Sequence, residues 1–184
     1  MKKQAYPILV LLLVMWLVRI VDAIIPFDFN QLGLWPRTLR GLPGIVLMPF
    51  LHAGFGHLIS NTIPLAILLG LTIASRHQAW PIIVAIIIGN GLLLWCFGRS
   101  AYHIGASGLA FGLIAYLITV GVRQKQLISI GIALLVGILF GTTLLTGIVP
   151  TFSSAISWDG HLFGALSGLI VGFATTRQIS ITKP

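Results

Sequence analysis

Six apolar runs, each long enough to cross a membrane as a helix, make up most of this chain of 184 residues. A helix needs roughly 17–25 apolar residues to span the hydrocarbon core of a bilayer. Only 8% of the residues are charged, whereas a soluble domain carries about a quarter. The sequence therefore predicts an all-α polytopic membrane protein, with one domain over residues 1–184 and the lipid bilayer as its partner. The predicted spans are 6–25, 57–75, 80–97, 107–122, 127–149 and 158–176.

The connection between the first two spans, residues 26–56, is interrupted by four prolines and cannot continue as a spanning helix. It is nevertheless rich in leucine and other apolar residues. We therefore expect this segment to be associated with the membrane and to lie in the interface.

Cationic residues predict the orientation, because cytoplasmic loops carry an excess of Lys and Arg. In a six-span count most of them fall on the side of the two termini, which predicts cytoplasmic termini. The net charge of +8 is scattered over the segment ends and forms no basic face, so no nucleic-acid partner is predicted. The cytoplasmic set is Lys2, Lys3, Arg76, Arg123, Lys125, Arg177 and Lys183, and the outer set is Arg37, Arg40 and Arg99, with Arg19 near the outer end of the first span.

The first span has an alternative interpretation as a signal peptide. Two lysines precede an apolar stretch, and the sequence from Val21 to Ala23 loosely fits a cleavage site. Arg19 and Asp22 can instead pair one turn apart, which helps an uncleaved helix to carry both charges. Cleavage would leave the orientation of the other five spans unchanged.

Polar residues gather at the outer ends of three spans. Spans two, four and six all run from outside to inside, and they begin near His57 and Asn61, at Ser107, and near His161. Polar side chains inside a membrane are expensive and usually functional. A serine and a histidine that meet there are the parts of a serine hydrolase.

Ser107 begins the fourth span, where serine is also a common helix N-cap. Its neighbours Gly105 and Gly108 favour a role beyond capping, because glycine allows a tight turn and close approach of a substrate to the backbone. The helix N-terminus also supplies positive potential for a developing oxyanion. The sequence thus makes Ser107 a candidate nucleophile.

His161 begins the sixth span and is followed by glycines at every fourth position, including Gly164 and Gly168. Faces of this kind let two helices approach closely, and Gly108 starts a similar face on the fourth span. Packing of these two faces would bring the imidazole of His161 to the serine, although glycine-mediated packing without catalysis remains an alternative. Phe111, one turn below the serine, is a candidate support for the imidazole ring.

His57 and Asn61 are four residues apart on one helix face, and both can donate hydrogen bonds, as an oxyanion hole requires. A zinc site built from His52, His57 and His161 is an alternative. It would leave the serine and its glycines without a purpose, so we predict no metal and no cofactor. Asp159 precedes the histidine by two residues and is expected to cap the helix and point elsewhere. This favours a Ser–His dyad.

In these motifs the chain resembles the rhomboid family of intramembrane serine proteases, and the similarity extends over all six predicted spans. One departure is Gly160, where many members carry alanine before the histidine. The segment Trp35-Pro36-Arg37 only loosely matches a Trp-Arg pair found in some members. The matching motifs are His57-x-x-x-Asn61, Gly105-Ala106-Ser107-Gly108-x-x-Phe111-Gly112, His161-x-x-Gly164-x-x-x-Gly168 and the preceding Pro49-Phe50-Leu51-His52.

The resemblance implies a six-helix rhomboid-like bundle of the minimal bacterial type, in a bacterial inner membrane, with a wet cavity open to the outside. Ser107 would be the nucleophile and His161 the general base and acid. His57, Asn61 and the backbone N–H of Ser107 would stabilise the oxyanion.

The substrates implied are single-span or polytopic membrane proteins, cut in or near the outer part of a transmembrane helix. The connection 26–56 would be the family's membrane-embedded first loop, and 150–157 would be a movable cap over the site. A catalytically inactive rhomboid-like binder of membrane helices, or a transporter or metal-binding channel, remains the alternative at this point.

Overall fold

The computed structural model describes residues 2–76, 78–150 and 157–181, with side chains described from residue 6 to residue 176 of these ranges. The described residues contain seven α-helices and no strand. Three short 3-10 turns, Phe29–Leu32, Leu39–Gly41 and Met48–Phe50, lie in the connection after the first helix. The α-helices are α1 Lys2–Ile24, α2 Gly44–Leu47, α3 Phe55–Ser75, α4 Ala79–Phe97, α5 Ser107–Gln124, α6 Leu127–Gly147 and α7 Trp158–Ile181.

Five helices, α1, α3, α4, α5 and α6, are long and apolar enough to cross a membrane, which confirms the first five predicted spans. The chain is therefore an integral membrane protein. The sixth predicted span corresponds to α7, a helix of 24 residues. Most helix ends lie within two residues of the predicted span ends, but α7 continues five residues beyond the predicted end, to Ile181. Most of the expected cap, residues 151–156, lies outside the described residues.

The central helix is α5, which contacts α3, α4, α6 and α7. Over 18 residues of each helix, 72% of the residues of α5 are buried inside the protein, whereas only 11% of those of α6 are. A helix that is apolar all round and buried belongs in the middle of a bundle. The peripheral α6 instead presents leucines and isoleucines outward, as a lipid-facing helix does.

Two glycine faces hold α5 and α7 together, as their spacing predicts. A Cβ atom added to Gly164 would overlap the carbonyl of Gly108, and one added to Gly168 would overlap the carbonyl of Gly112. Only residues without a side chain allow the two backbones to come this close. The contact aligns the first turns of α5 and α7 side by side.

The connection 26–56 packs through α2 against α4. Leu34 and Ile45 are buried in a small cluster with Leu94 of α4, whereas Leu39 is 82% exposed. The backbone of Leu34 exchanges two hydrogen bonds with that of His103, in the loop that precedes α5. The connection therefore braces the segment from which α5 begins.

The C-terminal end of α1 carries the ion pair expected from its sequence, between Arg19 and Asp22. The other carboxylate oxygen of Asp22 accepts a hydrogen bond of 2.8 Å from the N–H of Phe29. Two charges in an apolar helix are thus neutralised by each other and tie α1 to the connection that follows it.

Candidate active site

Ser107 is the first residue of α5 and follows a tight turn at Gly105, whose φ is +106°. This is a backbone conformation that residues with a side chain rarely adopt. The first intrahelical bond runs from the N–H of Ala110 to the carbonyl of Ala106. The N–H groups before it, including that of Ser107, have no carbonyl one turn earlier to pair with. The hydroxyl thus lies beside unpaired backbone donors at the positive end of a helix.

The hydroxyl oxygen of Ser107 lies 2.9 Å from Nε2 of His161. The other ring nitrogen, Nδ1, lies 3.0 Å from the carbonyl oxygen of Gly147, the last residue of α6. A carbonyl can only accept, so Nδ1 of the neutral ring carries the proton and Nε2 is free to accept one from the serine. This is the tautomer that a general base needs.

Phe111 stacks on the imidazole of His161, with ring centroids 4.1 Å apart and planes only 8° from parallel. A Cβ atom added to Gly147 would overlap the Phe111 ring and approach Nδ1 of the histidine to 3.3 Å. The imidazole is therefore held on one face by an aromatic ring and at one edge by a backbone carbonyl. The contact with Gly147 was missing from the sequence predictions, because residue type does not indicate which backbone carbonyl accepts a bond.

His57 and Asn61 lie near the start of α3, on the wall of the same cavity as the serine and the histidine. The His57 ring is directly against Gly105, where an added Cβ atom would be 2.8 Å from its Nε2. Asn61 is buried, and its amide nitrogen donates one hydrogen bond of 2.8 Å to the carbonyl of His57, which leaves its second N–H for another acceptor.

The cavity has a volume of about 780 Å³, within the range of small-molecule and peptide sites. It extends from the polar residues at the N-terminal ends of α3, α5 and α7 down between α3, α5 and α6. The upper part is lined by His57, Asn61, Ser107 and His161, and the lower part by Pro64, Ile114, Leu139 and Phe140.

Asp159 does not cap α7, so this expectation was wrong. The cap is Ser157, whose hydroxyl accepts a hydrogen bond of 3.2 Å from the N–H of Gly160. Asp159 instead accepts hydrogen bonds from the backbone N–H and the guanidinium of Arg99, 2.9 and 3.3 Å away. Its carboxylate is held by Arg99 and Ser157, and Nδ1 of His161 lies at the backbone carbonyl of Gly147 instead.

His52 is 2% exposed and contacts His57 edge to face, with ring centroids 5.0 Å apart. Burial, together with the neighbouring His57, lowers the pKa of His52 to about 4. Among the described residues no three His, Cys, Asp or Glu side chains are grouped closely enough to hold a metal ion. The alternative zinc site of His52, His57 and His161 is therefore not formed.

The sequence model of the Rhomboid domain family matches residues 40–178. This range includes the four polar residues of the cavity, His57, Asn61, Ser107 and His161. The chain belongs to the rhomboid family. It is 34% identical to an uncharacterized protein of Mycobacterium tuberculosis over 176 residues, which cover 90% of this chain and 72% of the relative. It is 27% identical to Rhomboid-related protein 1 of Caenorhabditis elegans, covering 71% of this chain and 39% of the relative. It is 29% identical to RHOMBOID-like protein 1 of Arabidopsis thaliana, covering 67% and 32%.

The polar residues of this rhomboid that line the cavity come from three separate helix starts. Ser107 and His161 belong to elements far apart in the chain, and only the packing of α5 on α7 brings them together. This packing leaves the serine and the histidine within hydrogen-bond distance.

Proposed function

We propose that this rhomboid is an intramembrane serine protease that hydrolyses peptide bonds of membrane proteins with a Ser107–His161 dyad. The observation that carries the proposal is the 2.9 Å contact between the serine hydroxyl and Nε2 of a histidine whose other nitrogen is bound by a carbonyl. Polar residues of this kind inside a bundle of apolar helices are costly unless they have a function.

In the first half of the reaction, the hydroxyl oxygen of Ser107 attacks the carbonyl carbon of the scissile peptide bond. Nε2 of His161 takes the hydroxyl proton and then delivers it to the leaving amine nitrogen, so that an acyl ester on Ser107 remains. The Gly147 carbonyl stabilises the imidazolium that forms in between, because it accepts a hydrogen bond from Nδ1.

The negative charge that develops on the substrate carbonyl oxygen needs donors that are already in place. The unpaired N–H of Ser107 at the start of α5 is one. The ring of His57 and the free amide N–H of Asn61 are the others, since both side chains line the cavity around the serine. The positive end of α5 adds to the same effect.

In the second half, water attacks the ester while Nε2 of His161 takes its proton and returns it to the oxygen of Ser107. The cavity supports this step because polar groups of three helices line its upper part, where water can be held. The scheme uses only side chains, backbone N–H and C=O groups and water, and we propose that it needs no metal and no cofactor.

We further propose that α7 is the sixth span of a single membrane domain, with both termini in the cytoplasm and the cavity open to the outer side. The distribution of cationic residues supports this orientation. The relative from Mycobacterium tuberculosis supports a bacterial plasma membrane as the location. The cut would then fall in or near the outer part of a substrate helix, at the depth of Ser107.

The test is cleavage of a single-span reporter protein in liposomes by wild type, Ser107→Ala and the control Ser75→Ala, whose hydroxyl lies at the opposite end of α3. Each is also treated with a fluorophosphonate, which labels only an activated serine. We expect cleavage and labelling by wild type and the control, neither by Ser107→Ala, and no effect of a chelator. Wild type that binds the reporter but neither cleaves it nor takes the label would be an inactive binder of helices.

A further inference from the structure

A second group of polar side chains, two of them buried, lies behind the Ser107–His161 pair and takes no part in the proposed reaction. It consists of Asp159 and His103, each 2% exposed, together with Ser157 and Arg99. Two of these residues lie in the loop that leads into Ser107, and two lie at the start of the helix that carries His161.

Asp159 joins the two segments directly. One carboxylate oxygen accepts a hydrogen bond of 2.9 Å from the backbone N–H of Arg99, and the other accepts one of 3.3 Å from its guanidinium. Hydrogen bonds to a charged acceptor are the stronger ones, and burial keeps water from competing for them. The chain has three acidic residues in all, and this is the one beside the dyad.

Ser157 joins the segments a second time. Its hydroxyl oxygen lies 2.7 Å from Nδ1 of His103 and 3.1 Å from Asp159, so either group can accept its single proton. Nε2 of His103 lies 3.0 Å from the carbonyl of Arg99, which can only accept. Burial lowers the pKa of His103, so the ring is neutral at neutral pH, donates from Nε2 and accepts from Ser157 at Nδ1.

The same serine starts the turn that carries the catalytic histidine. Its hydroxyl caps α7 through Gly160, and its carbonyl accepts a hydrogen bond of 3.1 Å from the N–H of His161. A shift of Ser157 relative to the loop before α5 therefore moves His161 relative to Ser107.

We propose that Asp159 is a positioning residue, which acts through Arg99, Ser157 and His103 to hold His161 at reacting distance from Ser107. The inference rests on the proposed protease function. Among the described residues, Asp159 makes no hydrogen bond with the serine or the catalytic imidazole, and we infer that it acts by fixing the two segments from which they emerge. A displacement near 1 Å in such a pair costs about 100-fold in rate.

The experiment compares Asp159→Ala and Asp159→Asn with the control Asp28→Ala, which removes an exposed carboxylate that caps a 3-10 turn. Values of kcat and KM are measured with the reporter in liposomes, with the rate of fluorophosphonate labelling and the melting temperature in detergent. We expect Asp159→Ala to lower kcat and the labelling rate about 10- to 100-fold with KM within about twofold. Asparagine should recover most of this loss, because its amide oxygen still accepts from the N–H of Arg99.

A residue needed only for folding would behave differently. Its loss would lower the melting temperature while the folded fraction kept the wild-type kcat and labelling rate, and this result for Asp159→Ala would overturn the proposal. If Asp159→Ala does not fold, Ser157→Ala and its conservative counterpart Ser157→Thr replace it. We expect Ser157→Ala to have a reduced kcat and Ser157→Thr to recover it. Equal kcat in Ser157→Ala and wild type would also overturn the proposal.

The positioning also has a readout that does not depend on proteolysis. In protein with ¹⁵N-labelled histidine, the Nδ1–H signal of His161 should shift or broaden in Asp159→Ala and stay in place in Asp28→Ala. An unchanged signal would overturn the positioning role. An inactive wild type with a signal that does respond would instead contradict the proposed function and leave the positioning supported.

Discussion

The carbonyl oxygen of Gly147 lies 3.0 Å from Nδ1 of His161, so the last residue of α6 determines which nitrogen of the ring carries the proton. The proposed dyad therefore has a backbone acceptor where a soluble serine hydrolase has a carboxylate. A backbone carbonyl brings no net charge into an apolar bundle, and burying a charge there would be costly. It also makes the dyad depend on the position of α6.

We expect Gly147→Ala to lower the cleavage rate about 10- to 100-fold, because the added methyl group would overlap Phe111 and push the carbonyl from His161. The matched control is Gly141→Ala on the same helix, where an added Cβ atom meets nothing within 4 Å. Cleavage of the reporter in liposomes measures both. Equal rates for the two variants would show that α6 does not orient the histidine.

Ser107→Ala and His161→Ala should each abolish cleavage without unfolding the protein, since both remove one partner of the 2.9 Å contact. Members of one catalytic unit are not additive, so the double variant should be no slower than either single variant. Rates with the reporter and melting temperatures in detergent provide the check. A double variant much slower than both singles would mean that the two residues act independently.

His57→Ala and Asn61→Ala should each slow the reaction less than loss of the dyad, by about 10²- to 10³-fold for a lost oxyanion donor. The expected change is in kcat, because the donor acts on charge that exists only in the transition state. Ser60→Ala, on the same stretch of α3, is the control. The Ser60 hydroxyl already donates its proton to the carbonyl of His57, so it is not assigned an oxyanion role. A variant with the wild-type kcat would have no oxyanion role.

Gly168→Val should lower both the melting temperature and the activity, because the side chain would force α7 away from the carbonyl of Gly112 and shift His161. Overpacking of this kind typically costs about 1–3 kcal/mol. Gly137→Val on α6 is the control, because its Cβ position is open. If the two valine variants melt and cleave alike, the glycine face is not the packing surface.

Acid should destabilise the protein through His52, whose pKa is lowered from 6.5 to about 4 by burial and by its neighbour His57. A depressed pKa means that the folded state prefers the neutral ring, so the stabilisation is complete above pH 6.5 and is lost as the pH falls toward 4. Lowering of the pKa from 6.5 to about 4 corresponds to about 3 kcal/mol. Melting temperatures of wild type and His52→Phe between pH 8 and pH 4 measure it, and the wild type should fall more steeply. Parallel curves would contradict a buried neutral His52.

Local sequence rules were sufficient to predict where the long helices lie. The length of the apolar runs identified five spans that the structure confirms, because an apolar helix in lipid satisfies its backbone internally and needs no partner. The four-residue glycine spacing likewise predicted the contact of α5 with α7, since a face without side chains is a property of the helix itself.

The same rules gave the wrong role for Asp159. An aspartate near a helix start can cap that helix, but it can equally accept hydrogen bonds from a residue far away in the sequence. Its partner Arg99 is 60 residues away, and Ser157 is equally suitable as a cap. Local propensity cannot choose between two capping residues when tertiary hydrogen bonds hold one of them.

The sequence by itself determined that this chain enters a membrane, which long helices it forms, and which serine and histidine begin two of them. Only the tertiary structure decided the orientation of the His161 ring and the partner of Asp159. The reason is physical: run length and residue spacing act within a single helix, whereas the carbonyl of Gly147 and the N–H of Arg99 are backbone groups that every residue carries. They become specific only when packing brings one of them to within hydrogen-bond distance of a particular side chain.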